Sequence, residues 1–390
     1  MLKTTVGGLP LESCVYNASG PRTGAVEALS KIGASASGAI LSKSCTKVKQ
    51  DGNPLPRSIS GIPMAKDMCV GSFNSEGLPN LGIEYYTSQD TIQSLSSFTK
   101  PYILSISGLS LEDNIEMLGT GLRTAGVAAI EINLACPNIP GKPIIAYDFE
   151  EMDRVLTQLT SVENFSCKPV GVKLAPYFDV PHFERAASIL AKYPIRFVTT
   201  INTIGNALFV DWENECSLIV PKNGLGGLGG GFVKQTALAN VRLLYLKLQE
   251  LNRGDIDVVG VGGVSSGRDA FELILCGAKA VQVGTCFWTE GPCCFGRINE
   301  ELRAIMEKKG YNSLEDFRGK LKPFIKRPAG SKKKSEENEK AEEEGEGRAK
   351  RSGNEVPFFL YAVIAALAAV VIYLMLRIYK IEGYNSRTSE

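Results

Sequence analysis

The stretch Asn133-Leu-Ala-Cys136-Pro-Asn138 places a thiol between two carboxamides, in a polar loop that follows an apolar run. A structural thiol belongs on an apolar run, as Cys276 and Cys286 nearly do, and Cys136 does not sit on one. Removing a proton from carbon needs a base whose pKa approaches the working pH, and a thiol near lysine ammoniums can supply one. Lys43, in Ser42-Lys43-Ser44, and Lys173 each end a different apolar run. The remaining runs end in Asn17-Ala18-Ser19-Gly20, Ser107-Gly108, Asn202-Thr203, Gly262-Gly263 and Gly284-Thr285. Amides and hydroxyls suit a flat polar ligand, and bare glycine backbone can approach phosphate oxygens. Gly262-Gly263 and Gly284-Thr285 are the expected phosphate loops. Ser265-Ser266-Gly267 then opens a helix whose N-terminus favours anions.

Composition removes several rival chemistries. The chain has 390 residues and a single histidine, His182, at a predicted helix start in Asp179-Val-Pro-His182-Phe. A Ser–His–Asp triad, a Cys–His dyad or a multi-histidine metal site would each depend on that one imidazole. Ten cysteines include no Cys-x-x-Cys pair, so no metal site is predicted and the thiols are read as free in a reducing compartment. Cys45, beside Lys43, is a second candidate reactive thiol. A net charge of +1 gives no field that favours nucleic acid. Gly224-Leu-Gly-Gly-Leu-Gly229 matches a dinucleotide fingerprint, but it follows Pro221-Lys-Asn223 instead of a strand, so a flexible ligand-facing loop is the better reading.

The elements that must hold these groups form a rhythm. Apolar runs at Cys14–Ala18, Gly38–Ser42, Pro101–Ser107, Ala128–Leu134, Pro169–Leu174, Arg196–Ile201, Asp257–Val261 and Ala280–Val283 read as strands buried on both faces. Helical segments such as Asp179–Lys192, Thr236–Glu250 and Gly267–Cys276 separate them. Eight such units predict an α/β (β/α)8 TIM barrel over residues 1–326, with all the polar strand ends on its C-terminal face.

The other end of the chain differs. Residues 327–355 are almost wholly charged or small and predict a disordered linker. Val356–Leu376 gives 21 residues without a charge, about 31 Å of helix, which is enough to span a bilayer. Residues 377–390 form a short polar tail. Met1–Pro10 reads as neither signal nor transit peptide. The expectation is therefore a membrane-anchored protein, held by a C-terminal single-pass helix, with its barrel facing the cytosol.

Taken in order, Ser42-Lys-Ser-Cys45, Asn74-Ser-Glu-Gly-Leu-Pro-Asn80, Asn133-Leu-Ala-Cys-Pro-Asn138 with Pro140-Gly-Lys-Pro143, and Gly226-Gly-Leu-Gly-Gly230 resemble dihydroorotate dehydrogenase of the soluble class 1A form, over roughly Leu2–Lys322. The resemblance implies an FMN barrel that oxidises dihydroorotate to orotate in pyrimidine synthesis, with fumarate as electron acceptor and a homodimeric assembly. It implies that Cys136 is the base at C5 of the substrate and that the C6 hydride goes to flavin N5. Lys43 would lie between flavin and substrate, with Asn74, Gly77, Leu78, Asn133, Asn138, Asn202 and Thr203 holding the substrate. Ala18, Ser19, Gly20, Lys43, Ser44, Asn133, Lys173, Gly230, Gly262, Gly263, Gly284 and Thr285 would line FMN, with Lys173 supporting negative charge on the reduced ring.

Three departures stand out. Glu76 occupies a position where relatives commonly have Met, and is expected to point away from an anionic substrate. Thr203 replaces the usual Ser, and the stretch Ser58–Phe73 is longer than in relatives. Quinone-dependent oxidation of the same substrate, a different FMN barrel, a flavin-free lysine aldolase or isomerase, and an inactive membrane-tethered scaffold remain as alternatives.

Overall fold

The branched apolar runs form eight parallel strands in one ring. They are β1 (Val15–Asn17), β2 (Ile40–Leu41), β3 (Tyr102–Ile106), β4 (Val127–Asn133), β5 (Val170–Leu174), β6 (Phe197–Thr200), β7 (Asp257–Val261) and β8 (Ala280–Val283). The order around the sheet is β1-β8-β7-β6-β5-β4-β3-β2. Between β1 and β2 the ring is joined by single contacts instead of a ladder. Gly38 N–H donates to the Val15 carbonyl (2.8 Å), and the Asn17 side chain bridges Leu41 N–H (3.0 Å) and its carbonyl (2.7 Å). In this computed structural model, residues 1–64, 70–136 and 143–324 are described. Asn138 and the expected linker, membrane helix and polar tail lie outside them. Among the described residues no helix is long and apolar enough to cross a membrane. The chain divides into two units, Met1–Leu321, which holds the barrel, and Lys322–Glu390.

Burial explains why these runs become parallel strands. Every residue of β3, β5, β6 and β8 is buried, which requires cover on both faces. That cover outside the ring is a succession of helices, Leu111–Arg123, Phe149–Thr160, Val180–Leu190, Lys234–Glu250, Gly267–Cys276 and Cys293–Lys309, each packed on the next. Several start at a side-chain cap: Ser110, Asp148, Asp179 and Ser266 each accept from an N–H in the first turn. His182 sits one turn inside the Asp179 cap, half exposed and bonded to Asp179 through both its backbone N–H and its ring Nδ1, at the helix start predicted for it.

The sequence reading omits a second sheet. Residues Ser58–Ile62, Gly71–Asn74, Ile204–Leu208 and Leu225–Gly230 form a four-stranded antiparallel sheet beside the C-terminal strand ends. The glycine-rich segment expected as a flexible loop is thus a strand. Its glycines are required by close neighbours: a Cβ on Gly227 would stand 2.4 Å from the Thr203 hydroxyl, and one on Gly229 2.6 Å from the Ser72 hydroxyl. Within the stretch before Asn74, Ser58–Ile62 pairs antiparallel with Gly71–Asn74.

Candidate active site

One cavity, about 1140 Å³ including its mouth, opens where the strand ends of the barrel meet the antiparallel sheet. Of the sequence-predicted residues, Ala18, Ser19, Gly20, Lys43, Ser44, Asn74, Leu78, Asn133, Cys136, Lys173, Asn202, Thr203, Gly230, Gly262, Gly263, Gly284 and Thr285 all line it. Gly77 does not. It turns the backbone at φ +69°, and a Cβ there would lie 2.3 Å from the Asn53 amide oxygen, so its contribution is to let the loop pass Asn53.

The thiol loop is held from both sides. Asn133, the last residue of β4, accepts from Ala135 N–H (3.1 Å) and donates to Ser44 Oγ (3.2 Å). Asn202, just after β6, donates to the Ala135 carbonyl (2.7 Å), and its own side-chain oxygen accepts from Thr203 N–H (2.9 Å). Cys136 is therefore presented by a backbone fixed one residue earlier, and it remains partly exposed in the cavity. Cys45 is different: it is fully buried, it donates to the Ser105 carbonyl (3.3 Å), and burial pushes its thiol well up, so it is not a reactive group.

Lys43 and Lys173 project from the ends of β2 and β5, and both are buried. Burial pushes the Lys43 ammonium below its ordinary value. Cys136 and Glu76 oppose that shift, while Lys173 and Arg57 add to it. Burial also lowers Lys173, against Glu131 and Cys136. Glu131 lies deeper on β4, where it accepts from Thr199 Oγ1 (2.7 Å) and Gln282 Nε2 (2.8 Å). Two buried ammoniums facing one cavity are costly unless an acceptor or anion meets them, so the site is built for an electron-rich ligand.

The phosphate end needs one correction. The helix N-terminus at Ser265–Gly267 is already occupied by the protein's own carboxylates. Asp269 Oδ2 accepts from the N–H groups of Ser265 (2.9 Å) and Ser266 (2.8 Å) and from both hydroxyls, and Glu301 accepts from Gly267 N–H (2.7 Å). Bare backbone for an anion is left at Gly262-Gly263 and Gly284-Thr285. Gly262 and Gly263 have φ of +138° and +73°, and a Cβ on either would meet a side chain at 2.6 Å. Burial pushes the Asp269 carboxyl up, but Lys234 (2.5 Å) and the Ser265 N–H more than offset this and hold it low. Asp269→Ala removes the carboxylate that organises this loop. We expect a loss of about 3 kcal/mol or more in urea unfolding, together with weaker FMN binding by fluorescence titration.

Some lining residues escaped the sequence reading. Ser72 lies two residues before Asn74, so both share one face of their strand, and its hydroxyl bonds Thr285 Oγ1 (2.8 Å), tying the outer sheet to the phosphate loop. Strand alternation is the signal that would have found it. The expectation that Glu76 points outward fails: Glu76 is buried, lines the cavity and forms an ion pair with Arg57 (2.9 Å). Arg57 supplies the countercharge that the expectation lacked. Among the described residues no group of three or more His, Cys, Asp or Glu side chains is placed to hold a metal ion.

Comparison with known proteins places the chain. Residues 1–306 match the family model described as dihydroorotate dehydrogenase. The chain is 46% identical over 323 residues to dihydroorotate dehydrogenase A (fumarate) of Lactococcus lactis subsp. lactis, covering 83% of this chain and 99% of that protein. It is 46% identical over 316 residues to dihydroorotate dehydrogenase (fumarate) of Kluyveromyces lactis, covering 80% and 95%. The fold is similar to the crystal structure of ligand-free type DHODH from Eimeria tenella, with a TM-score of 0.66 at 21% identity, covering 82% of this chain and 91% of that one. With its thiol, paired lysines and amides gathered at one end of a parallel barrel, the chain belongs to the dihydroorotate dehydrogenase family, in its fumarate-type, class 1A branch.

Proposed function

We propose that this chain oxidises dihydroorotate to orotate in pyrimidine synthesis, with FMN as cofactor and fumarate as the second substrate. One observation carries the reading: a partly exposed thiol shares a cavity with two buried lysines and the carboxamides Asn74, Asn133 and Asn202. FMN fits the residues present. The bare backbone of Gly262, Gly263, Gly284 and Thr285 suits its phosphate, and the Lys43 and Lys173 ammoniums suit an electron-rich ring. When bound, FMN supplies the hydride acceptor and passes the electrons on.

The protein's own work is placement and proton transfer. Asn74, Asn133, Asn202 and Thr203 offer donors and acceptors to the flat ring and carboxylate of dihydroorotate. The backbone of Leu78 and the side chain of Asn138 join that set by resemblance. Cys136 Sγ takes the proton from C5, and the Asn133 and Asn202 contacts on Ala135 keep the sulfur from drifting. Lys43 and Lys173 stabilise negative charge as it develops between substrate and cofactor.

The uncharged segment 356–376 supports a second element of the proposal, a helix that holds the barrel at the cytosolic side of a membrane. The same segment is the one feature that favours quinone over fumarate as acceptor. A homodimer is also part of the proposal.

A single set of assays tests these points. Protein reduced anaerobically with dihydroorotate is reoxidised in parallel with fumarate, a quinone and NAD, using both the full chain and a chain ending at residue 355. We expect bleaching by dihydroorotate, fastest recovery with fumarate, and equal turnover by the shortened chain, which no longer sediments with membranes. Protein that is colourless and cannot be reconstituted with FMN overturns the reading. Faster recovery with quinone, lost on shortening, replaces the acceptor.

A further inference from the structure

Glu76 is a carboxylate built into a site that otherwise collects cations and donors. It is 8% exposed, lines the same cavity as Lys43, Asn74, Asn133 and Cys136, and its Oε2 lies 2.9 Å from Arg57 Nε. Arg57 is fixed independently of that pair. Its guanidinium donates to the carbonyls of Asp51 (2.8 Å) and Asn53 (3.0 Å), and its own carbonyl accepts from Ser75 N–H (2.8 Å). Asn53 N–H in turn donates to the Glu76 carbonyl (2.8 Å). Backbone bonds therefore hold the two segments together, and the ion pair is not needed to close them. What the carboxylate changes is charge: it lowers the net charge around the cavity by one unit and cancels Arg57.

We propose that Glu76, masked by Arg57, is a specificity-determining residue that weakens binding of dianions relative to monoanions at this site. The physical basis is that a Coulomb term scales with ligand charge. A fixed carboxylate near the cavity costs a dianion up to twice the free energy it costs a monoanion, so the binding factor for a dianion approaches the square of that for a monoanion. The inference rests on the proposed activity, in which the substrate dihydroorotate is a monoanion and the acceptor fumarate a dianion. By cancelling Arg57, Glu76 removes an attraction that would favour fumarate over the substrate, and so raises the fumarate concentration needed relative to a neutral side chain at this position.

The test uses ligands that differ in charge but not in skeleton. Fumarate and monomethyl fumarate are titrated into FMN-loaded wild type, Glu76→Gln and Glu76→Met, and followed by flavin difference spectra and by competition with dihydroorotate. Orotate and orotate carrying a second carboxylate at C5 form a pair that does not depend on fumarate. Both neutral side chains should tighten the monoanions by about 3- to 5-fold and the dianions by about 10- to 25-fold, with the gap closing at high salt. Equal shifts for the two charge classes, or no shift in both variants, overturn the proposal. Fumarate that neither competes nor reoxidises, while the orotate pair still splits by charge, instead overturns the acceptor reading and leaves the role of Glu76 standing.

Discussion

Cys136→Ser should keep its FMN and its fold while its reduction by dihydroorotate slows by about 10²- to 10⁴-fold near neutral pH. The substitution changes one atom. The contacts that place the residue belong to its neighbours, Asn133 and Asn202 bonding the Ala135 backbone, and they are untouched. What changes is acidity. A thiol ionises near ~8.5, within reach of neutral pH, and ammoniums such as Lys43 and Lys173 favour its charged form. A serine hydroxyl is a far weaker acid and must remove the same C5 proton without that head start. The deficit should narrow as the pH is raised, because hydroxide-assisted removal becomes competitive. Stopped-flow bleaching at several pH values checks this. A variant that is reduced at the wild-type rate would exclude Cys136 as the base and move attention to another group on the cavity wall.

The barrel was legible because its signal is local. Asp257–Val261 and Ala280–Val283 are strands with the same bounds that their apolar runs predict, and Gly267–Cys276 is a helix with the same bounds. Once eight such runs are ordered in a ring, the polar residue at the end of each one must arrive at the same face, which is why the sequence alone groups Lys43, Asn133, Lys173 and Thr285. Most of the misreadings depend on a residue distant in sequence, and one on a local helix cap, Asp269, three and four residues after the amides it occupies. The Ser265–Gly267 amides look available to phosphate until Glu301 and Asp269 are seen to occupy them. Leu225–Gly230 has little β-propensity of its own and becomes a strand because Gly71–Asn74 pairs with it. Glu76 was expected to face outward because an unpaired carboxylate would be unfavourable near an anion. The argument about charge is sound, but the sequence pattern does not reveal that Arg57 returns to meet it.

Lys43→Met should make the apoprotein more stable and the enzyme poorer, and the two effects separate what this lysine does. Burial of the ammonium is the largest influence on Lys43, and Lys173 and Arg57 repel it further, so its folded pKa lies below the ordinary 10.5. For a group with a depressed folded pKa, the stabilising contribution is present above 10.5 and is lost as the pH falls through the folded value. At neutral pH the charged Lys43 therefore costs the apoprotein stability, only partly offset by Cys136 and Glu76. Methionine has similar length and carries no charge to desolvate. Thermal melts of the FMN-free variant should exceed wild type at neutral pH, and the gap should shrink as the pH approaches 10.5. Turnover should move the other way, falling by about 10²- to 10³-fold, because a preorganised cation next to developing negative charge is lost. A stability gain that does not vary with pH would attribute the effect to packing instead of charge. A variant destabilised at neutral pH would mean that the apoprotein already supplies Lys43 with a partner strong enough to outweigh its burial.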